Sequence, residues 1–195
     1  MISPVVDEVS SHLDGLARLA ARASRELAGE VAQVAEMVLH AVEGGRRLFF
    51  CGNGGSAADA QHLATEYVVR FRRKRRPLAA IALTTDTSLL TAASNDLGFE
   101  WVFARQVQGL ATAGDILFLH STSGDSPNLL EAARVARVEG VRTVALLARG
   151  GGALKSLVDV AIVVPTDDGA HAQELHLAIG HAICEVVESR LAGAE

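Results

Sequence analysis

The amino-acid sequence predicts an α/β fold, in which helices cover both faces of a parallel β-sheet. From residue 47 onward, short apolar runs alternate with segments whose apolar residues recur at helical spacing. The runs ILFL (116–119) and TVALL (143–147) are continuously apolar, which is typical of strands buried on both faces. Two of the predicted strands run into turns rich in glycine or hydroxyl residues, and ligands bind beyond the carboxyl ends of such strands.

Two helices are predicted before the first strand. The first follows from apolar residues at helical spacing, namely Val6, Val9, Leu13, Leu16 and Ala20. The second covers 30–42 and ends at Gly44 and Gly45, a helix-ending signal. We expect this N-terminal segment, residues 1–45, to cap the sheet or to pack against another copy of the chain.

The rest of the chain alternates between strands and helices, without an internal repeat or a low-complexity linker. Predicted strands cover 47–51, 78–83, 115–120, 142–147 and 158–164. Predicted helices cover 56–71, 87–94, 100–110, 126–138 and 170–191. We therefore expect one domain over residues 1–195.

The composition indicates a cytoplasmic protein. Of 195 residues, 49% are apolar and 21% charged, which is ordinary for a globular domain that buries its own core. The net charge of -5 argues against a general nucleic-acid binder. Cys51 and Cys184 lie too far apart for a metal motif and fit a reducing compartment. Acidic residues such as Asp7 and Glu8 stand where a signal peptide needs an apolar run, and no segment is long enough to span a membrane.

Two strand-to-helix turns, 52–56 and 121–126, are candidate phosphate sites. Glycines let the backbone approach a ligand, and helix N-termini offer unpaired N–H groups with the positive end of the helix dipole. Clustered hydroxyls add donors without charge, which suits a phosphomonoester. Neither turn has the P-loop pattern or the GxGxxG dinucleotide pattern. The alternative is that both are tight turns with helix caps.

Four polar residues on otherwise apolar helices are candidates for an acid/base or metal site. His62 and Glu66 are four residues apart, about 40° around a helix. Gln173 and His181 lie about 80° apart on the last helix. Two imidazoles, a carboxylate and an amide oxygen can bind zinc or a similar divalent ion. The spacing is not specific, and each residue alone could simply be exposed or hydrogen-bonded.

Four segments of the chain resemble the phosphoheptose isomerase family of sugar isomerase (SIS) domains, the sedoheptulose 7-phosphate isomerases. They are CGNGGSAADAQH (51–62), LTTDTSLLTAASND (83–96), STSGDSPN (121–128) and QELHLAIGH (173–181). The resemblance covers nearly the whole chain. It implies a flavodoxin-like, doubly wound parallel sheet of five strands and a homotetramer with active sites between subunits.

The resemblance also implies roles for individual residues. The predicted substrate-binding set comprises Asn53, Gly54, Gly55, Ser56, Asp96, Ser121, Thr122, Ser123, Ser126 and Gln173, with the hydroxyls on the phosphate and Asn53 and Asp96 on the sugar. The predicted metal-binding set is His62, Glu66, Gln173 and His181, with one zinc ion per subunit. Glu66 and His181 match the acid/base pair. Because a carboxylate bound tightly to zinc is a poor base, either Glu66 shifts when substrate binds or the metal is mainly structural.

The predicted activity is conversion of D-sedoheptulose 7-phosphate to D-glycero-D-manno-heptose 7-phosphate, toward nucleotide-activated heptose. One alternative is a non-catalytic SIS tetramer that binds the replication initiator DnaA, whose pattern lacks counterparts of Glu66 and His181. Another is a domain that senses a sugar phosphate. Ala170 and Ala172 stand where the family usually has bulkier or charged residues, so the sugar is less defined than the reaction type. The basic run 70–76, RFRRKRR, is interpreted as a solvated helix end. The alternative is that Arg70, which matches a family position near the site, contacts substrate.

Overall fold

The sheet consists of five short parallel strands in a computed structural model that describes residues 3–192. The strands are β1 Leu48–Gly52, β2 Ala80–Ala82, β3 Ile116–Ser121, β4 Arg142–Leu147 and β5 Val160–Val163. The helices are α1 Pro4–Glu26, α2 Ala28–Glu43, α3 Gly55–Val68, α4 Thr87–Leu97, α5 Ala104–Leu110, α6 Pro127–Val138 and α7 Gly169–Leu191. Short 3-10 turns lie at Phe99–Trp101, Arg149–Gly151 and Ala153–Ser156.

The strand order β2-β1-β3-β4-β5 is that of a doubly wound, flavodoxin-like sheet, as predicted. The chain runs outward in one direction from β1 to β2 and in the other from β3 to β5, so the topological switch point lies between β1 and β3. Gly52 at the end of β1 is in register with His120 near the end of β3. The turns that follow these two strands therefore lie side by side.

Both faces of the sheet are buried, as the continuously apolar strands predict. Successive residues of β1 point to opposite faces, so Phe50 packs into one core and Phe49 into the other. The first core lies under α1, α2, α3 and α7, and the second under α4, α5 and α6. No helix among residues 3–192 is long and apolar enough to cross a membrane.

The edge of the sheet at β2 differs from the prediction. The strand predicted over 78–83 is only Ala80–Ala82, an edge strand paired with β1 alone. The helix predicted over 100–110 is divided, since a 3-10 turn at Phe99–Trp101 precedes α5. The helix predicted over 56–71 ends at Val68, before the basic run.

The basic run is not a solvated helix end, and a buried carboxylate is the physical reason. Glu188 on α7 accepts hydrogen bonds from the backbone N–H groups of Phe71, Arg72 and Arg73 at 2.7–2.9 Å. Its side chain is only 1% exposed and lies 3.1 Å from the guanidinium of Arg75, which is 2% exposed. The chain therefore leaves the helix to wrap around Glu188.

Arg75 also holds the end of α3. Its guanidinium donates to the backbone carbonyls of Glu66, at 2.6 Å, and Tyr67, at 2.8 Å. These carbonyls lie in the last turn of the helix, where no intrahelical donor is available. The ion pair of Arg75 and Glu188 thus connects the backbone of Glu66, a predicted site residue, to α7.

Candidate active site

The two predicted phosphate turns meet at the switch point. Asn53, just after β1, and Asn128, in the first turn of α6, form a reciprocal amide pair. Each side chain donates one hydrogen bond and accepts the other, at 2.9 and 2.8 Å. Asn128 is 1% exposed, so this pair holds the two turns together inside the protein.

Glycines shape the first turn. Gly54 has a φ of +56°, in the region that favours glycine, and caps the N-terminus of α3. A Cβ on Gly55 would overlap the side-chain amide of Gln173. Gly55 therefore gives Gln173 on α7 access to the start of α3. Ser56 follows in the first helical turn and is buried.

The second turn presents hydroxyls at the N-terminus of α6. The hydroxyl of Ser121 accepts a hydrogen bond from the N–H of Gly124 at 3.0 Å, and that of Ser123 lies 3.3 Å from the N–H of Asp125. Ser126 is the N-cap of α6, yet its hydroxyl makes no capping bond. Thr122 is half-buried between them. The turn thus offers donors beside a helix N-terminus, which suits an anion.

Three of the four predicted metal ligands come together where α3 packs on α7. The Nε2 atoms of His62 and His181 are 2.8 Å apart, and His62 Nε2 lies 3.3 Å from Oε1 of Glu66. Ligand atoms of all three residues fall within 4.8 Å of one another. Glu66 is only 16% exposed, whereas His62 is 45% exposed, so the cluster opens to solvent on one side. This donor set fits a zinc-like ion.

A glycine sets the approach of the two helices. A Cβ on Gly180, the residue before His181, would lie 2.5 Å from a methyl carbon of Leu63, the residue after His62. Leu63 is 2% exposed and fixed in the core. The two imidazoles meet because their neighbours in sequence pack without an intervening side chain.

The surroundings of His181 favour the neutral imidazole. Partial burial, followed by the electrostatic effect of the neighbouring His62, lowers the pKa of His181 below its usual value. The ring of Phe71 stacks on it with a centroid separation of 5.0 Å and an interplanar angle of 17°. A neutral, oriented imidazole can bind a metal through its unprotonated nitrogen or, when that nitrogen is free, exchange a proton with a substrate oxygen.

Gln173, the fourth predicted ligand, lies against the first turn of α3, beside Gly55 and Asp59. Asp59 was not predicted from the sequence. Burial raises its pKa to about 6, while the amide of Gln173 and the imidazole of His62 act in the opposite direction. The spacing of Asp59, His62 and Glu66 along one helix face was the signal that could have found it.

Asp96 stands apart from the other predicted site residues. It lies near the end of α4, exposed, and accepts a hydrogen bond from the neighbouring Asn95 at 2.7 Å. Arg105 and Gln106 line the same shallow surface depression. Its predicted contact with the sugar therefore stays a prediction.

Two further histidines lie behind the turns rather than in the cluster. His176 is buried on α7 and its Nε2 lies 3.0 Å from the carbonyl oxygen of Leu147. His120 is fully buried at the end of β3, and neither ring nitrogen has a hydrogen-bond partner among residues 3–192. Burial, with a contribution from His176, lowers the pKa of His120 to about 3, so its ring stays neutral.

The fold and the hydroxyl turns define a class of protein. The sequence pattern of the SIS domain family matches residues 11–148, most of the chain, so the chain is a member of that family. It is 48% identical over 187 residues to a phosphoheptose isomerase of Geobacter sulfurreducens, covering 96% of this chain and 99% of that relative.

Solved structures agree with this result. The structure of phosphoheptose isomerase GmhA from Neisseria gonorrhoeae superimposes with a TM-score of 0.89 at 40% identity, over 95% of this chain and 99% of that one. A phosphoheptose isomerase from Francisella tularensis gives a TM-score of 0.92 at 34% identity, over 96% and 100% of the two chains. The chain belongs to the phosphoheptose isomerase family, a family of sugar-phosphate isomerases.

Proposed function

We propose that this enzyme converts D-sedoheptulose 7-phosphate to D-glycero-D-manno-heptose 7-phosphate, a step toward nucleotide-activated heptose. The observation that carries the proposal is the cluster of His62, Glu66 and His181, whose first residue lies about two turns along α3 from the glycine turn. Membership of the phosphoheptose isomerase family supports the choice of substrate.

In the proposed binding mode, the two turns hold the phosphate and the cluster faces the carbonyl end of the sugar. The hydroxyls of Ser56, Ser121, Thr122, Ser123 and Ser126, with Gly54 and Gly55, surround the phosphate. Asn53 is fixed by its amide pair with Asn128, so it offers a preorganised contact to the sugar. Gln173 lies between the phosphate turn and the cluster.

In the proposed reaction, the carboxylate of Glu66 removes a proton from C1 of the ketose, and the C1–H electron pair forms the enediolate. The same carboxyl group returns a proton to C2, which yields the aldose. His181 moves a proton between the two oxygens, for which its neutral imidazole is suited. Only the proton positions change, so no redox partner is needed.

We propose one zinc ion per subunit, held by His62, Glu66 and His181 with Gln173 as the fourth ligand. The imidazole and carboxylate donors within 4.8 Å of one another fit such an ion. When bound, zinc would supply electrophilic stabilisation of negative charge on the sugar oxygens, on the condition that Glu66 leaves the ion as substrate binds and its carboxylate is free to act as the base. Movement of the Gln173 side chain along α3 would complete the ligand set.

We further propose a cytoplasmic homotetramer whose active sites lie between subunits, with residues 1–195 forming one SIS domain. Apolar side chains on α1 support the assembly, because Val5, Val6, Val9 and Leu13 are each more than half exposed. The isolated position of Asp96 is consistent with a site that a neighbouring subunit completes. Both cysteines are buried and free, as expected in a reducing compartment.

Purified protein should be incubated with sedoheptulose 7-phosphate, with and without added zinc, while the product is followed by NMR. Wild type should form the manno-heptose 7-phosphate, whereas Glu66→Gln and His181→Ala should be slower by at least about 100-fold. His40→Ala, on an exposed part of α2, is the matched control and should retain full activity. Absence of turnover by wild type under both conditions would reject the proposal.

Two other functions remain distinguishable. A non-catalytic tetramer that binds the replication initiator DnaA, or a domain that senses a sugar phosphate, needs neither the carboxylate of Glu66 nor the imidazole of His181. This chain has both residues, and each contacts the imidazole of His62, which favours the enzyme. Tight binding of DnaA without turnover would favour the first alternative, and saturable sugar-phosphate binding without turnover the second.

A further inference from the structure

A second cluster of metal-ligating side chains lies where α1 packs against the beginning of α7. It comprises His12, His171 and Glu174, whose ligand atoms fall within 4.8 Å of one another. The imidazole rings of His12 and His171 have centroids 4.4 Å apart, and Nε2 of His12 lies 4.0 Å from Oε1 of Glu174. None of these residues belongs to the proposed catalytic cluster.

A carboxylate lies beside one nitrogen of the His171 ring, as is common for metal-ligating histidines. Oδ2 of Asp168 lies 3.5 Å from Nδ1 of His171, while Oδ1 of the same carboxylate caps the N-terminus of α7. A carboxylate beside one ring nitrogen orients the other toward a metal. The other nitrogen of His171, Nε2, is buried and has no hydrogen-bond partner among the described residues.

The opposing helix leaves room for this ring. A Cβ on Gly15 of α1 would lie 2.9 Å from Cε1 of His171, so only glycine accommodates the present ring position. The side chain of His171 is 13% exposed, whereas those of His12 and Glu174 are 48% and 43% exposed. His171 is therefore a ligand fixed inside the protein, whereas His12 and Glu174 are ligands accessible to solvent.

We propose that His12, His171 and Glu174 form a second metal site, for a divalent cation of the zinc class, which ties α1 to the start of α7. Two imidazoles and one carboxylate are typical zinc ligands, and water from the open side can supply a fourth. Since α1 exposes several apolar side chains, a metal tie to α7 would fix the orientation in which it presents them. The site is independent of the proposed activity.

The test is zinc stoichiometry, measured by equilibrium dialysis and elemental analysis of the intact protein. Wild type should bind two zinc ions per chain. His171→Ala and Glu174→Gln should each bind one, with affinity at the second site lowered at least about tenfold. His62→Ala should also bind one ion, but the ion it loses is the one at the proposed catalytic cluster. His40→Ala should bind two.

A second measurement separates loss of the site from loss of folding. In the His62→Ala background, added zinc should still raise the melting temperature, and the further change Gly15→Ala should reduce that shift by displacing the ring of His171. Circular dichroism confirms that each variant is folded. If His171→Ala and Glu174→Gln bind as many zinc ions as wild type, or if wild type binds a single ion that His62→Ala removes, the second site does not exist. Neither result alters the proposed isomerase activity.

Discussion

Replacing Gly180 with alanine tests whether close packing of α3 on α7 creates the imidazole cluster. The new Cβ would lie 2.5 Å from one methyl carbon of Leu63, about 0.9 Å short of ordinary contact at 3.4 Å. The other methyl carbon is at 2.6 Å and Cγ is at 3.2 Å, and Leu63 is buried, so the surrounding core opposes a change of its rotamer. We therefore expect the helices to separate at the position where their histidines meet.

The separation has two measurable consequences. Overpacking of this kind costs about 1–3 kcal/mol of stability, and misplacement of reacting groups by about 1 Å lowers the rate by about 100-fold. Isomerisation kinetics, zinc dialysis and urea denaturation should be measured on the same preparation. Gly29→Ala, in the helix α2 with nothing within 4 Å of its new Cβ, should keep full activity.

The reasoning would be refuted if Gly180→Ala retained the kcat/KM and zinc affinity of wild type. That result would mean that the helices tolerate the extra methyl group without moving their histidines. A change in stability equal to that of Gly29→Ala would lead to the same conclusion.

Three further outcomes are expected. Glu188→Gln should lower the free energy of unfolding, measured by urea denaturation, by about 3–5 kcal/mol, because buried Arg75 is left without its counter-charge. Glu185→Gln, which affects a more exposed ion pair, should lower it by less than about 1 kcal/mol. Burial alone would raise the pKa of Glu188, but three backbone N–H groups and Arg75 outweigh burial and lower this pKa below 4.5. The stabilisation by ionised Glu188 is therefore fully present above that pH and is lost as the pH falls through the pKa of the folded state. Over that pH range the urea midpoint of wild type should fall by more than the midpoint of Glu188→Gln. Asn128→Asp should raise KM for the sugar phosphate and cost about 1–3 kcal/mol, because it removes one hydrogen bond of the amide pair and buries a charge; unchanged kinetics would show that Asn53 needs no such support.

The sequence predicted the sheet well because the relevant signals are local. Continuous apolar runs such as ILFL need only their own composition to indicate burial on both faces, and the glycine and hydroxyl turns need only their position after a strand. The parallel direction of the strands then follows from the helices that connect them. The pairing of His62 with His181 was also accessible, because the two motifs resemble one family.

The departures from prediction arise from contacts between residues distant in sequence. Nothing near the basic run indicates that Glu188, more than a hundred residues later, accepts three of its N–H groups. The same holds for Gly55, whose missing side chain makes room for Gln173. Asp59 escaped notice because its raised pKa comes from burial, which the sequence does not specify.

The fate of the transferred proton tests the central claim most directly. Sedoheptulose 7-phosphate should be converted in D2O, and the manno-heptose 7-phosphate analysed by NMR for deuterium at C2. Proton transfer through Glu66 predicts deuterium at C2 in the wild-type product, with both turnover and exchange lost in Glu66→Gln. Turnover and deuterium incorporation at C2 by Glu66→Gln at the wild-type rate would contradict the assignment of Glu66 as the base.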